Sequence, residues 1–153
     1  MASGSVLLPY DVVLGAVFSA RSTMPFSALA GVDLNGDANI TDYVPGITRN
    51  VFNRGSDTDA MARVNAYRGT TGAAALPVSQ IGTNEYYSLD VRASKSIAIS
   101  AGRKVELIGQ VFNLLNRTNL LALWTTNVRS SAFATSVSAA NMRQAEVAVR
   151  FSF

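Results

Sequence analysis

The sequence has no cysteine and no histidine, only four prolines in 153 residues, and 15% charged residues where an ordinary soluble domain carries about 25%. Without cysteine there is no disulfide framework, and without cysteine or histidine no zinc or haem site on the usual ligands. Ser–His and Cys–His pairs and imidazole as a general base are excluded too. Asp, Glu, Lys, Tyr and Ser remain as reactive groups, and no pair of acids stands out at the ends of neighbouring strands, so the chain reads as a non-enzyme. No uninterrupted apolar run approaches the roughly 18 residues of a membrane-spanning helix. The longest uncharged stretch, residues 69–84, is broken by Gly, Thr, Pro, Ser and Gln and reads as a loop. Nor is there a basic cluster. The net charge is +3, but the 13 Lys and Arg residues are scattered from Arg21 to Arg150, which argues against a phosphate-tracking groove and a nucleic-acid partner. The opening Met1-Ala2-Ser3-Gly4-Ser5 lacks the charged start and apolar centre of a secretory signal peptide and reads as a bare beginning. The length allows one domain with a core, not two of about 100–150 residues.

What is present is alternation. Hydrophobic residues make up 48% of the chain, and in four segments they recur at every second position, the period of a strand with one apolar face. In the first, near 10–21, Val12, Leu14, Ala16, Phe18 and Ala20 share a face. In the second, near 86–99, Tyr87, Leu89, Val91, Ala93, Ile97 and Ile99 do so, interrupted by Lys95, with Ser88, Asp90, Arg92, Ser94 and Ser96 opposite. The third, near 104–116, sets Val105, Leu107, Gly109 and Val111 against Glu106, Ile108, Gln110 and Phe112. The fourth, near 142–153, aligns Ala145, Val147, Val149, Phe151 and Phe153. Ser100-Ala101-Gly102-Arg103 joins the second and third as a hairpin.

Between these strands lie two long strand-poor stretches, 22–85 and 117–141. The first holds the five aspartates Asp33, Asp37, Asp42, Asp57 and Asp59 and most of the Gly and Pro; the second is rich in Ser, Thr, Ala and Asn. If the strands run up and down, both long connections fall at one end of the sheet and the short turn at the other. That is the asymmetry of an outer-membrane barrel, with short periplasmic turns and long extracellular loops. The expected fold is all-β: an antiparallel, up-and-down transmembrane β-barrel segment with long extracellular loops, embedded in outer-membrane lipid. It is an incomplete barrel, since about eight strands are needed to close one. The alternative is a small autonomous β-protein, soluble or oligomerising, with its apolar face inward and a binding or structural role. In either case open strand edges invite self-association.

Three further groups of residues attract attention. Asp33, Asn35, Asp37, Asn39 and Asp42 place oxygen ligands at alternate positions, like the first half of a calcium loop. However, Ala38 stands where that motif has Gly, and Val44 where it has its bidentate Glu. The same residues equally suit a polar turn closed by Asp and Asn side chains. Trp124, beside Leu120, Leu121 and Leu123, fits either an aromatic girdle or a loop anchor. Asp90 and Arg92 share a face with Glu106 and Gln110 across the hairpin and would line a polar lumen, where solvated pairs contribute about 1 kcal/mol or less.

Specific runs carry a resemblance. Tyr87-Ser88-Leu89-Asp90-Val91-Arg92-Ala93-Ser94-Lys95, Val105-Glu106-Leu107-Ile108-Gly109-Gln110-Val111-Phe112-Asn113-Leu114-Leu115-Asn116-Arg117-Thr118-Asn119 and Val149-Arg150-Phe151-Ser152-Phe153 resemble the last strands of TonB-dependent receptors. They are closest to the Oar-like group with an N-terminal carboxypeptidase-regulatory-like domain. Arg21-Ser22-Thr23-Met24-Pro25-Phe26-Ser27, Asp33-Leu34-Asn35-Gly36-Asp37 and Pro45-Gly46-Ile47-Thr48-Arg49-Asn50 fit as well. The resemblance implies a plugged barrel of about 22 strands in the bacterial outer membrane that imports bulky nutrients with energy passed from the inner membrane. It makes this chain a C-terminal portion, whose partners are the rest of the barrel, the plug and the barrel-assembly machinery, and which alone is not transport-competent. It also implies that Val147, Val149, Phe151 and Phe153 form the signal read by that machinery; an ordinary strand with aromatics packed on lipid is the other possibility.

Overall fold

A computed structural model describes all residues 1–153. It has five strands, β1 (Ala2–Leu8), β2 (Val12–Arg21), β3 (Tyr86–Ser100), β4 (Arg103–Phe112) and β5 (Gln144–Ser152), and one α-helix, α1 (Asp57–Thr70). The strands form a single open antiparallel sheet in the order β1-β2-β3-β4-β5, each paired with its neighbour in sequence. The chain divides into two compact units. One is the sheet with Tyr86–Asn119 and Ala140–Phe153; the other is built from Ser22–Glu85 and Leu120–Ala139.

β1 corrects the reading of the first residues as a bare beginning. Ala2 to Leu8 pair with Phe18 to Val12, through a three-residue turn, Pro9–Asp11, in which Tyr10 and Asp11 both take positive φ (66° and 57°). The expected strand near 10–21 therefore starts at Val12, because Tyr10 and Asp11 are bent out of extended geometry by this left-handed turn. Small residues at Ser3, Gly4 and Ser5 leave β1 with little alternation to detect. At the other hairpin Gly102 (φ 78°) makes the tight reversal between Ser100 and Arg103.

The register sorts every strand residue onto one of two faces. Val6–Leu14–Ala93–Gly109–Val147 and Ala2–Phe18–Leu89 are cross-strand rows of one face; Val91–Val111–Ala145, Lys95–Leu107–Val149 and Ile97–Val105–Phe151 continue it. The opposite face carries Ser3, Ser5, Ser19, Asp90, Arg92, Ser94, Glu106, Gln110, Glu146 and Arg150. None of the chain's buried apolar residues belongs to the sheet unit, whose only buried side chains are Ser88, Asn113 and Asn119. The apolar face is open, with Val147 87% and Phe151 68% exposed.

The two long strand-poor stretches, expected as loops, carry a helix and a core of their own. They fold together around one apolar cluster of Phe26, Val44, Phe52, Met61, Val64, Trp124, Val128 and Phe133 with neighbouring alanines. Phe26 stacks on Phe52 (4.9 Å) and on Trp124 (4.6 Å), and Phe133 meets Phe52 edge-on at 5.5 Å. The segment 26–30 is the hub of the backbone bonding. Phe52 N–H donates to the Phe26 carbonyl, Val44 N–H to Ala28, Ala30 N–H to Asp42, Leu29 N–H to Thr126 and Val128 N–H to Leu29. Helix α1 was hidden in the sequence because its inward stripe is Ala60, Met61, Val64 and Arg68, and an arginine in the stripe cancels the apolar period. Buried Arg68 donates from Nε to the Ala74 carbonyl (2.7 Å) and from Nη1 to Ser130 (2.9 Å) and Val128. It thus ties the helix to residues far along the chain.

Candidate functional site

The polar face of the sheet is the first candidate. A concavity of about 500 Å³ opens on it, with Ser3, Ser5, Val17, Asp90, Arg92 and Gln110 among its walls. Beside it on the same face, three neighbouring strands join their charges. Glu106 on β4 accepts from Arg150 of β5 (3.2 Å) and lies 3.8 Å from Arg92 of β3, while Gln110 Nε2 donates to Glu146 (2.6 Å). Of the four residues expected on this face, Arg92 and Glu106 are brought together. Gln110 turns instead to Glu146, and Asp90 accepts from the Ser88 hydroxyl (2.8 Å) and the Asn113 N–H (2.9 Å). The Arg92 and Arg150 heads are half to two-thirds exposed, so these pairs contribute about 1 kcal/mol or less each. They link β3, β4 and β5 across the polar face.

The asparagine run after β4 forms a second cluster, which sequence reasoning singled out only as a family mark. It also shortens the expected strand near 104–116, because Asn113 and Asn116 take positive φ (48° and 50°) and end β4 at Phe112. Asn113 Nδ2 donates to the Arg117 and Asn141 carbonyls, and its Oδ1 accepts from Arg117 N–H. Asn116 Oδ1 accepts from Arg143 N–H (3.2 Å). Asn119 makes a two-way bond with the Tyr87 backbone, both legs 2.9 Å, and Arg117 lies over the Tyr87 ring at 4.6 Å. Asparagine suits these places because it tolerates left-handed backbone and offers both a donor and an acceptor.

The acidic loop closes on itself. Asp33 Oδ1 accepts from the N–H groups of Gly36 (2.6 Å) and Asn35 (3.1 Å), and its Oδ2 from Ala38 (2.8 Å). Asp37 accepts from Asn39 N–H (2.8 Å) and the Asn35 amide (3.2 Å), and Asp42 from Leu34 N–H (2.6 Å) and the Asn35 amide (3.1 Å). Bonds from Gly36 and Ala38 first, then Asn35 and Asp37, hold the Asp33 carboxyl below its ordinary range; those from Asn39 and Asn35 do the same for Asp37. Ala38 takes the left-handed turn (φ 66°) that a calcium loop assigns to Gly. No three carboxylates of the chain gather as a metal-holding group. Each of the residues Asp33, Asn35, Asp37, Asn39 and Asp42 thus sits in one polar turn knit by side-chain-to-backbone bonds.

Trp124 is buried and stacked on Phe26: it anchors the loop unit's core and does not stand in a girdle. Val147, Val149, Phe151 and Phe153 lie on the open apolar side, all more than half exposed. β5, which carries the first three, is an edge strand paired only with β4.

The open apolar face, the polar concave face and the position of the two insertions converge on a barrel wall, in which lipid-facing and lumen-facing residues alternate. No helix of the chain is long and apolar enough to cross a membrane. Neither the curated proteins nor the solved structures gave a match. A family model described as an outer membrane beta barrel domain matches residues 13–146, from β2 into β5. The chain therefore belongs to the outer-membrane β-barrel domain family, and its strands are part of a wall in the outer membrane.

Proposed function

We propose that this chain is the C-terminal portion of the barrel of a TonB-dependent, Oar-like outer-membrane receptor that takes up nutrients at the cell surface. Its role is non-catalytic: the sheet supplies wall, and the unit built from residues 22–85 and 120–139 faces outward and contributes to ligand capture. The observation that carries this reading is topological. Both long insertions leave the sheet from the same end, after Arg21 and after Phe112, while Pro9–Asp11 and Ala101-Gly102 turn tightly at the other. The runs around Asp90, Asn113 and Phe151 that resemble TonB-dependent receptors add the finer assignment. Five strands enclose no pore, so transport requires the rest of a barrel and a plug. The free edge and apolar face of β5, with Val147, Val149 and Phe151, fit recognition by the barrel-assembly machinery.

Epitope tags at Gly36 and Gly102 test the orientation in intact cells. A tag at Gly36 is expected to be labelled from outside, and one at Gly102 only after permeabilisation. The reverse pattern, or recovery of the chain as a soluble monomer without detergent, overturns the reading in favour of an autonomous β-protein. Sequencing the DNA immediately upstream tests the receptor assignment: an in-frame or adjacent plug-and-barrel sequence is the expected result.

A further inference from the structure

The open apolar face is uniform except at one place. Apart from Arg103 at the hairpin turn, Lys95 is the only charged residue that the register puts on it, paired with Val12 on one side and Leu107 on the other. Lys95 forms no ion pair within the chain. Its partner Val12 directly follows the short turn Pro9–Asp11, where Tyr10 is 86% exposed. By register Lys95 is level with the Pro9–Asp11 turn that carries Tyr10, a residue favoured where a barrel wall passes from apolar band to headgroups, while the row Ile97–Val105–Phe151 carries the same face on toward the Ser100–Arg103 turn.

Beside Lys95 the wall is notched. A groove of about 250 Å³ is bounded by Val12, Ala93, Lys95, Leu107, Gly109 and Val147. Gly109 makes the notch, and no packing within the chain requires a glycine there, since an added Cβ would meet no atom within 4 Å and its φ is not positive. Gly109 lies two residues beyond Leu107 on β4, away from the short turns. The order along the wall is therefore exposed Tyr, cation, then apolar groove leading deeper.

We propose that this is a phospholipid site: Lys95 binds the headgroup phosphate of a lipid in the leaflet on the short-turn side, and one acyl chain lies in the groove at Gly109. A cation set in an apolar lipid-facing surface is costly without a counter-charge, and a lipid phosphate reached by the long Lys95 side chain supplies one through charge-assisted hydrogen bonds. The inference rests on the apolar face meeting lipid, and its test separates the two claims. The full chain is purified in detergent, and native mass spectrometry compares retention of phosphatidylglycerol with that of diacylglycerol bearing the same acyl chains. About tenfold or greater preference for phosphatidylglycerol is expected, the size of one charged hydrogen bond. Lys95→Gln is expected to abolish the preference and Lys95→Arg to keep it. Gly109→Leu is expected to weaken phosphatidylglycerol retention with the cation in place. Equal retention of phosphatidylglycerol by the original chain and Lys95→Gln overturns the site, as does its displacement by millimolar inorganic phosphate with no effect of Gly109→Leu. Equal retention of both lipids overturns the headgroup contact and leaves the lipid-facing wall standing; retention of neither overturns both. Should Lys95→Gln fail to fold, the two-lipid comparison in the original chain and in Lys95→Arg decides.

Discussion

The sheet and the loop unit are built from similar side chains and do opposite things with them. In the loop unit, Phe52, Phe133, Met61 and Val64 are fully buried around a stacked aromatic cluster. In the sheet, Phe18, Leu107, Val149 and Phe151 are exposed on a face with no layer over it, and the buried residues are polar. In water the hydrophobic effect drives apolar area into a core; in a bilayer it no longer does so, and the sheet's demand becomes satisfied backbone pairing instead. One chain thus follows two solvation rules. Within the sheet unit the few buried side chains, Ser88, Asn113 and Asn119, are polar and lie toward the long-loop end of the strands.

Truncation in the loop core breaks this contrast most strongly. Phe52→Ala is expected to cost about 3–5 kcal/mol and to open residues 22–85 to protease, while the strands remain, as read by far-UV circular dichroism. Charge placed on the sheet comes next. Val91→Arg, on the apolar face, is expected to destabilise the lipid-embedded wall by about 2–4 kcal/mol in unfolding from liposomes. Ser94→Arg, on the other face of the same strand, should cost less than about 1 kcal/mol; equal effects would mean that the faces are assigned wrongly. Gly31→Ala is a sharper local test. Gly31 sits at φ 72°, and an added Cβ would come within 2.2 Å of the Asn127 side chain. A loss of about 1–3 kcal/mol is expected, of which Asn127→Gly should restore the steric part and leave the backbone part. The smallest effect is pH-dependent. Asp33 and Asp37 titrate below their ordinary value of 3.8, so their contribution to the loop is complete above about pH 4 and is lost as pH falls through the lowered folded values. Carboxyl titration by NMR checks this, and Asp33→Asn should remove its share.

Strands β2 to β5 and their two faces were legible because alternation repeats at every residue, so that a register error is visible at once in Leu89-Asp90-Val91-Arg92. β1 was not, since Ser3, Gly4 and Ser5 carry no contrast between faces. The helix was missed because Arg68 lies in its buried stripe. The start signal was available all the same: Ser56 followed by Asp57 and Asp59, with Arg68 in the last turn. Of the candidate sites, the acidic turn could be located from spacing alone, but not its closure by backbone donors. The Lys95 groove needed register, because Tyr10, Val12, Lys95 and Gly109 come from three strands and a turn and meet only once pairing is known.

The asparagine cluster has a consequence for variation. Ala140 N–H donates to the Asn119 carbonyl at 2.8 Å, so the insertion between them begins and ends on a single hydrogen bond. Residues 22–85 start and stop in the same way at the paired Arg21 and Tyr86. The two insertions, which share one core, thus form a single cassette joined to the strands at these two pairs. Varied or exchanged together, they can diverge in length and chemistry without moving any strand of the wall by a single register position.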